Sequence, residues 1–443
     1  MKIQLSDHFN YYRMFRFTLP TIVMMVFSSL YVIVDGLFVS NIVGSDALAS
    51  INIIYPAIMV IGAFGFMLGM GGNAEVAKTL GEGRTKEARQ YFTMIVLAIF
   101  LLGTFLTVIS IIFIRPISYF LGASDRLIEY CVDYGRVILF GGILFMLQVS
   151  FQSFFITAER PTYAMAFSLA AGFTNMILDY VFIVVLHMGI VGAAWATTCG
   201  YAVGGVIPLF YFIAPNKSLL RFTKPAFDFK VLLHSAVNGS SEMVANLSSS
   251  LTTWLYNFQM MRLAGEDGVA AITVILYLIF VFNAIVMGFS FGISPVIGFH
   301  YGADNRAELQ NLFRRCLRVT AAVSVTMVLL AQITAAPVTD IFCGDNENLR
   351  EMTTYGMHIY STAFLLCGFN IFGSSLFTAL CNGKISAAIS FTRTLVMEAG
   401  MLLLLPFLIG ITGVWLAVPI AEAVTLVAVI YFIIRYRDRY GYY

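Results

Sequence analysis

The chain has 443 residues, of which 59% are hydrophobic and only 11% are charged, and its formal net charge is +2. A soluble domain carries about a quarter charged residues, and no soluble core is large enough to bury this much apolar surface. Six cysteines exclude a disulfide scaffold, 62 Phe and Tyr residues (40 and 22) exclude a disordered chain, and the near-neutral charge gives no reason to expect nucleic acid as a partner. The composition is that of an integral membrane protein embedded in a lipid bilayer.

Twelve stretches of about 18 or more largely apolar residues are long enough to cross a bilayer as helices. They are continuously apolar rather than alternating, which favours helices over a β-barrel. The first stretch is too long for a cleavable signal peptide, so we expect it to remain in the protein. The predicted helices cover residues 14–40, 51–74, 92–114, 130–157, 162–186, 189–214, 231–261, 269–298, 313–336, 352–380, 384–409 and 411–434.

The loops between these helices are basic on one side of the membrane only. With the N-terminus inside, 21 of the 26 Lys and Arg residues fall on the cytoplasmic side and 5 on the other. Positively charged loops stay in the cytoplasm. Both termini are therefore predicted to face the cytoplasm.

The chain also repeats itself at an offset of 221 residues, which pairs Gly44 with Gly265, Asp46 with Asp267, Gly189 with Gly410 and many further positions. Six helices per repeat is an even number, so the two halves keep the same orientation, as in transporters built from parallel repeats. The predicted fold is all-α, with twelve transmembrane helices in two pseudo-symmetric six-helix bundles. The N-terminal bundle covers residues 1–214, a cytoplasmic linker residues 215–230, and the C-terminal bundle residues 231–443.

Four polar residues of the N-terminal half lie at intramembrane positions. A charge in the bilayer is costly, so it indicates a cavity, a partner or a function. A rise of about 1.5 Å per residue places these positions in the outer half of the membrane. The four residues are Asp35, Asn175, Asp179 and Thr197, which correspond at the repeat offset to Tyr256, Val396, Gly400 and Val418.

Two carboxylates, an amide and a hydroxyl that converge in one bundle are hard oxygen ligands suited to Na⁺. They are equally suited to a proton, which two neighbouring carboxylates can share. We therefore predict a site for a coupling cation, Na⁺ or H⁺, and no other cofactor. The alternative is that these side chains only hold helices together by hydrogen bonds.

The C-terminal half has buried acids of its own. Glu242 and Glu398 lie near mid-membrane, and Arg393 precedes Glu398 by five residues, a poor spacing for one helix face. Arg393 could therefore meet Glu242 across helices instead. A structural salt bridge and a role in binding substrate or ion both stay open, and Glu422 is a further candidate.

Four residues complete the predicted machinery. Tyr31 shares a helix face with Asp35, and Gln148 shares one with Gln152. All three are candidates for lining a substrate cavity, with helix packing as the alternative for the glutamines. Pro20 lies in the same predicted helix as Asp35 and permits a bend there, so it is either a hinge or a static kink.

Several segments resemble the multidrug and toxic compound extrusion (MATE) family. The run from Asp35 to Gly44, Asp-Gly-Leu-Phe-Val-Ser-Asn-Ile-Val-Gly, is similar to the first-helix signature of that family. Gly69-Met-Gly-Gly-Asn73, followed by Leu80-Gly-Glu-Gly83 and Lys86-Glu-Ala88, resembles the loop after its second helix. The blocks Asn175–Asp179 and Met188–Thr197 resemble its fifth and sixth helices. Together these segments extend over nearly the whole N-terminal half, and the twelve-helix plan extends the resemblance to the rest.

The resemblance implies a function. Asp35, Asn175, Asp179 and Thr197 resemble the cation site of the prokaryotic DinF-type branch. This implies a monomer in the prokaryotic cytoplasmic membrane that exports cationic or amphipathic drug-like molecules in exchange for H⁺ or Na⁺. It also implies alternating access between two rocking bundles, with the bend at Pro20 proposed to take part in release.

Other functions agree less well with the sequence. A flippase for lipid-linked substrates is the closest alternative, but its phosphates would call for a cavity rich in cations, and only Arg136 and Arg393 lie well inside predicted helices. A membrane enzyme acting on diphosphates would need clustered acids for Mg²⁺, and none are present, so we predict that the protein is not an enzyme. A channel is the third alternative, which gradient-driven transport would distinguish.

Overall fold

The computed structural model describes residues 3–216, 218–343 and 346–443, and in these ranges the chain is helical with no strand. Its π-helical turns are Tyr180–Val185 and Phe391–Glu398, and a 3₁₀ turn covers Ser361–Ala363. This confirms the predicted all-α class. The helices are α1 (Tyr11–Ile42), α2 (Ser45–Gly81), α3 (Thr85–Ile112), α4 (Ile114–Phe120), α5 (Ile128–Phe140), α6 (Gly142–Thr157), α7 (Pro161–Asp179), α8 (Gly189–Ile213), α9 (Phe229–Gly302), α10 (Arg306–Cys343), α11 (Glu347–Tyr360), α12 (Phe364–Ala379), α13 (Gly383–Ser390), α14 (Ala399–Ile409) and α15 (Ile411–Tyr440).

The described chain crosses the membrane twelve times. Ten helical segments are long and apolar enough to span a bilayer, and α5 with α6, bent by 45°, make an eleventh. The twelfth comes from α9, whose 74 residues break at Gly265, where φ is 64° and ψ is −147°. Asn238 donates to Thr378 O, and Gly298 lies against the next residue, Ala379. Since both arms of α9 reach the same turn, α9 folds back on itself and spans the membrane twice.

Hydropathy placed the spans correctly but underestimated their lengths. The second helix, predicted over 51–74, runs from Ser45 to Gly81. The polar ends of a transmembrane helix extend beyond the apolar core into the headgroup region, where hydropathy no longer marks them. The fourth predicted helix bends between α5 and α6, and the tenth is interrupted by the 3₁₀ turn Ser361–Ala363.

Both termini lie at one end of the bundle. Phe9 N donates to Glu308 at the start of α10, and the ring of Tyr442 lies 5.1 Å from that of Phe313 on the same helix. We call this end the inner end and the opposite one the outer end. The positive-inside rule predicts that the inner end faces the cytoplasm.

The repeat is visible in the turns of the outer end. Gly44 and Gly265 both have positive φ (116° and 64°), as do Gly189 and Gly410 (58° and 63°). Glycine is favoured there because a side chain would strain this backbone conformation. Each pair is separated by the repeat offset, so the repeated glycines are the residues that turn the chain.

The two halves meet most closely at the inner end. A Cβ added to Gly71 would lie 2.9 Å from Gly239 Cα, and one added to Gly288 would lie 2.6 Å from Ile22 Cα. Such approaches need glycine, because any side chain would collide with backbone. The seam between the halves is therefore held by direct backbone packing.

The segment between the two bundles is packed rather than free. It joins Ile213, the end of α8, to Phe229, the start of α9. Leu220 is fully buried, Arg89 of α3 donates to Leu219 O, and the ring of Phe222 stacks on Phe92. The segment is thus attached to the N-terminal half at its inner end.

Candidate functional site

Asp35 and Asp179 face each other in the outer half of the N-terminal bundle. Asp35 lies on α1 and Asp179 is the last residue of α7, where it is 1% exposed. The two carboxyl groups are within hydrogen-bonding reach of each other. Among the described residues no donor reaches Asp35 Oδ1 or either carboxylate oxygen of Asp179. Three of the four carboxylate oxygens of the pair are therefore buried acceptors that receive no hydrogen bond from the described residues.

Local structure brings these two acids together. A Cβ on Gly172 of α7 would lie 2.5 Å from the Phe27 ring, so this glycine allows α1 to pack closely on α7. The π-helical turn Tyr180–Val185 begins directly after Asp179. Such turns widen a helix locally and frequently occur at functional sites.

Asn175 and Thr197 complete the group. Asn175 lies one turn before Asp179 on α7, and its Nδ2 donates to Thr197 Oγ1 of α8 over 3.2 Å. The hydroxyl of Thr197 donates to Ala193 O, and Asn175 Oδ1 has no partner in the described chain. The structure thus brings the four predicted residues into one cluster, which we call the N-site (Asp35, Asn175, Asp179 and Thr197).

Tyrosines surround the N-site. Tyr31 and Tyr201 lie near Asp35, and Tyr134 lies near both Asp35 and Asp179. Only Tyr31 was predicted from the sequence. Tyr134 and Tyr201 were missed because hydropathy counts an aromatic ring as core, although Tyr201 lies four residues after Thr197 and so shares its helix face.

The C-terminal half holds a buried ion pair. Arg393 donates from Nε and Nη2 to Glu422 Oε1 at 2.8 and 2.6 Å, and Asn370 donates to Glu422 Oε2 at 2.6 Å. Glu242 and Glu398 interact electrostatically with the same guanidinium. We call this group the C-cluster (Glu242, Arg393, Glu398 and Glu422).

The predicted pairing of Arg393 with Glu242 is wrong, because the partner at hydrogen-bond distance is Glu422. Arg393 lies in the π-helical turn Phe391–Glu398. A π turn bonds residue i to i+5 instead of i+4, so a face assigned with 3.6 residues per turn does not hold there. Asn370 then fixes the second oxygen of Glu422.

The two predicted cavity glutamines lie in different environments. Gln152 donates to Ser168 and lines a small cavity between the halves with Met24, Met70 and Phe291. Gln148 is buried between α6 and α8, where a Cβ on Gly204 would lie 2.6 Å from its Cδ. Gln152 thus faces the seam, whereas Gln148 packs inside the N-terminal half.

Pro20 lies inside α1, which continues as one helix from Tyr11 to Ile42. On either side of it, the side chains of Thr18 and Thr21 pack against Gly292 of α9. The proline is thus placed where α1 touches the other half of the molecule.

The donor atoms of the N-site are of one kind. They comprise carboxylate, amide and hydroxyl oxygens, which suit a hard cation such as Na⁺ or a proton. In the described ranges no group of three or more His, Cys, Asp and Glu side chains could hold a metal ion. An Na⁺ ion would therefore rely on Asn175 and Thr197 besides the two aspartates.

The MatE family model matches the chain twice, over residues 20–181 and 243–404. Both matches are of equal length, so each half corresponds to one copy of the family domain and the predicted repeat is confirmed. The Multidrug export protein MepA of Staphylococcus haemolyticus is 24% identical over 430 residues, which covers 96% of this chain and 94% of that protein.

Solved structures share the fold along almost the whole chain. An outward-facing multidrug resistance MATE transporter of the MOP superfamily matches with a TM-score of 0.89 and 22% identity, covering 97% of this chain and 95% of that one. A MOP superfamily transporter from Pyrococcus furiosus, described by its reversed binding-pocket polarity and a suggested different function, matches with a TM-score of 0.87 and 22% identity over 95% of each chain. These likenesses confirm the twelve-helix, two-bundle fold.

Proposed function

Because the chain belongs to the MatE family, we propose that it exports small cationic or amphipathic molecules in exchange for H⁺ or Na⁺. Members of this family are transporters, which confirms that the protein is not an enzyme. The name of the Staphylococcus relative, a multidrug export protein, supports small drug-like substrates. We place the protein in the cytoplasmic membrane of a prokaryote, as a monomer with both termini inside.

The observation that carries this proposal is that Asp35 Oδ1 and both carboxylate oxygens of Asp179 are buried without a donor from the described residues. Two buried carboxylates without a donor are unfavourable, because neither solvent nor protein compensates their charge. A bound cation or a shared proton removes this cost. Asn175 Oδ1 and the lone pairs of Thr197 Oγ1 supply further oxygens for an Na⁺ ion. The N-site is therefore suited to take up the coupling ion.

Coupling follows if the ion and the substrate favour different arrangements of the two bundles. A ligand shifts a conformational equilibrium only by its difference in affinity for the two states. Loading the N-site with H⁺ or Na⁺ adds one positive charge to the N-terminal bundle, which weakens the attraction of this bundle for a cationic substrate. Alternating access would then release the substrate as the ion enters.

The C-cluster supports a cationic substrate rather than the phosphate of a lipid-linked one. The guanidinium of Arg393 is already bound to Glu422, and Glu242 and Glu398 lie in its field. A flippase for an anionic substrate would need a cation free to bind phosphate. Three carboxylates around one guanidinium instead provide negative charge, which attracts a cationic substrate.

Proteoliposomes test the proposal directly. We expect efflux of a cationic dye such as ethidium to be driven by a pH gradient or by an Na⁺ gradient, each imposed alone. Asp35→Asn and Asp179→Asn should each abolish this efflux. Asp133→Asn, which changes an exposed carboxylate of α5, is the matched control and should transport normally.

Two results would contradict the proposal. Dye efflux that neither gradient drives in the unmodified protein would exclude coupled antiport. Normal gradient-driven efflux by both N-site variants would show that the coupling ion binds elsewhere.

A further inference from the structure

A polar cavity lies at the inner end, away from the N-site and the C-cluster. Its volume is about 360 Å³, and it opens between the start of α1 and the first turns of α10. Its lining includes Tyr11, Gln310, Asn311, Arg314, Arg315 and Arg318. We call these residues the arginine pocket.

The arginine pocket is built by its own contacts. The guanidinium of Arg315 lies 4.7 Å from the centre of the Tyr11 ring, and its Nε donates to Asn311 Oδ1 over 2.5 Å. Arg318 donates to the Tyr11 hydroxyl over 3.3 Å. Asn311 is held in turn by Phe9 O, to which its Nδ2 donates over 3.0 Å. Two of the three guanidinium groups are therefore oriented by neutral neighbours.

The three arginines of this pocket are not neutralised by ion pairs with the described residues, although Gln310 of the lining donates to O of the last residue, Tyr443, over 3.2 Å. None of the ion pairs formed by the described residues includes Arg314, Arg315 or Arg318. The nearby acid Glu308 accepts from Phe9 N and Asn311 and contacts His8. Planar guanidinium groups bind phosphate through paired hydrogen bonds. The pocket is thus suited to a phosphate-bearing anion.

The surface beyond the pocket is apolar. Along the exposed face of α10, Arg314 and Arg318 are followed by Val325 and Leu329, and exposed Phe15 and Leu19 line the neighbouring face of α1. Val325 lies about 10 Å along the helix from Arg318, at about 1.5 Å per residue. The arginines at headgroup depth are therefore followed, at acyl-chain depth, by an apolar stripe formed by these four side chains of α10 and α1.

We propose that the arginine pocket binds the headgroup of an anionic phospholipid, whose acyl chains lie along the stripe of α1 and α10. The guanidinium groups favour a ligand that carries a phosphate. The adjoining apolar stripe favours a lipid over a soluble phosphate ion. This proposal does not depend on the transported substrate or on the coupling ion.

Native mass spectrometry of the purified full-length protein tests it, with phosphatidylglycerol and phosphatidylcholine added in turn. We expect phosphatidylglycerol to be retained in preference to phosphatidylcholine. Arg314→Gln combined with Arg318→Gln should weaken this retention about 30-fold, since each cation near the surface contributes a factor of about five. Arg435→Gln combined with Arg439→Gln is the matched control, because these residues are also exposed, four apart and at the inner end.

A further variant distinguishes a loss of charge in the pocket from misfolding of the protein. R314K/R318K keeps both charges and should retain phosphatidylglycerol far better than R314Q/R318Q. Equal losses in the pocket variant and the R435Q/R439Q control would show general attraction to a basic surface and overturn the proposal. Equal binding of both lipids, or full displacement of phosphatidylglycerol by millimolar inorganic phosphate, would overturn it as well.

Discussion

Single residues decide where an ion can bind in this protein. Asp35 Oδ1 and both carboxylate oxygens of Asp179 are buried without a donor, and Asn175 Oδ1 beside them lacks one too. Elsewhere in the membrane the buried acid Glu422 is bound by Arg393 and Asn370. The contrast separates a site that lacks its counter-charge from one that already contains it.

The N-site predicts that the coupling ion stabilises the fold. An ion that binds only the folded protein raises its melting temperature as its concentration increases. We expect Na⁺ at fixed pH, or protons at fixed Na⁺, to raise the Tm of the unmodified protein. Asp179→Asn should abolish this rise, whereas Asp133→Asn should keep it. A Tm that responds equally in both variants would place ion binding outside the N-site.

The ion pair of the C-cluster predicts a large and non-additive effect on stability. Arg393→Met leaves Glu422 buried without its partner, which should cost about 3–5 kcal/mol of unfolding free energy. Adding Glu422→Leu removes the orphaned charge and should restore much of this loss. Denaturation of the single and double variants measures the difference.

The exposed pair Arg115–Glu129, joined over 2.8 Å, is the control for this cycle. Exposed pairs are worth about 1 kcal/mol or less, so Arg115→Met should barely change stability. A double C-cluster variant that is less stable than Arg393→Met would contradict the expected compensation.

The sequence predicted how deep the polar side chains lie in the membrane, but not the direction in which they point around the helix axis. Asp35, Asp179 and Thr197 could be placed at one level because helix rise converts residue number into height. The partner of Arg393 could not be predicted, since the π-helical turn Phe391–Glu398 changes which way the side chain points. Tyr134 could not be predicted as a neighbour of the N-site for a different reason, because an aromatic ring in an apolar helix is typical of core packing.

At the scale of elements, α1 connects the two halves. Its inner part contributes Met14 and Phe17 to a core that includes Phe289 of α9, whereas farther out the ring of Phe27 lies 5.1 Å from Phe173 of α7. Asp35 belongs to this outer part. A change at the N-site can therefore reach the other half along one helix.

Pro20 lies between these two parts, and its replacement tests whether α1 bends during transport. Pro20→Ala supplies the missing N–H and removes the clash of the ring with the preceding turn, so we expect higher thermal stability. We also expect a lower maximal rate of dye export, because a stiffer α1 bends less readily. Transport assays in proteoliposomes and a melting curve measure both effects.

Pro208→Ala is the matched control for this experiment. Pro208 also lies inside a membrane helix of the N-terminal half, α8, where it is buried. Its replacement should change stability in the same direction and leave the rate of export unchanged. Export by Pro20→Ala at the unmodified rate would identify a static kink.

The element count was predictable because charge and hydropathy repeat along the chain, and the predicted helices 231–261 and 269–298 already place a break where α9 turns; the bend between α5 and α6 was not predictable. The two arms of α9 are joined by Gly265 alone, and α5 bends into α6 at Gly141. The break at Gly265 depends on its positive φ, whereas the bend at Gly141 depends on packing, since a Cβ there would lie 2.9 Å from Thr198 Oγ1 of α8. Such a tertiary contact leaves no periodic signal in the sequence.

At the scale of the whole molecule, the described contacts close the inner end. Leu5 N donates to Glu159 of the N-terminal half, and four residues later Phe9 N donates to Glu308 of the C-terminal half. The N-terminal segment thus ties both halves together beside the seam of glycines. Opening the inner end requires all these contacts to separate.

The glycine seam gives the last prediction. Gly71→Ala would place a methyl group 2.9 Å from Gly239 Cα and nearer still to Ser235 O, so the two backbones must move apart. We expect this wedge to lower the population with a closed inner end and to slow export. Gly400→Ala is the control, because no atom lies within 4 Å of its added Cβ. Spin labels at Lys86 and Lys384, both exposed at the inner end, should report longer distances in Gly71→Ala and unchanged ones in Gly400→Ala. Unchanged distances in both variants would mean that the seam is not what keeps the inner end closed.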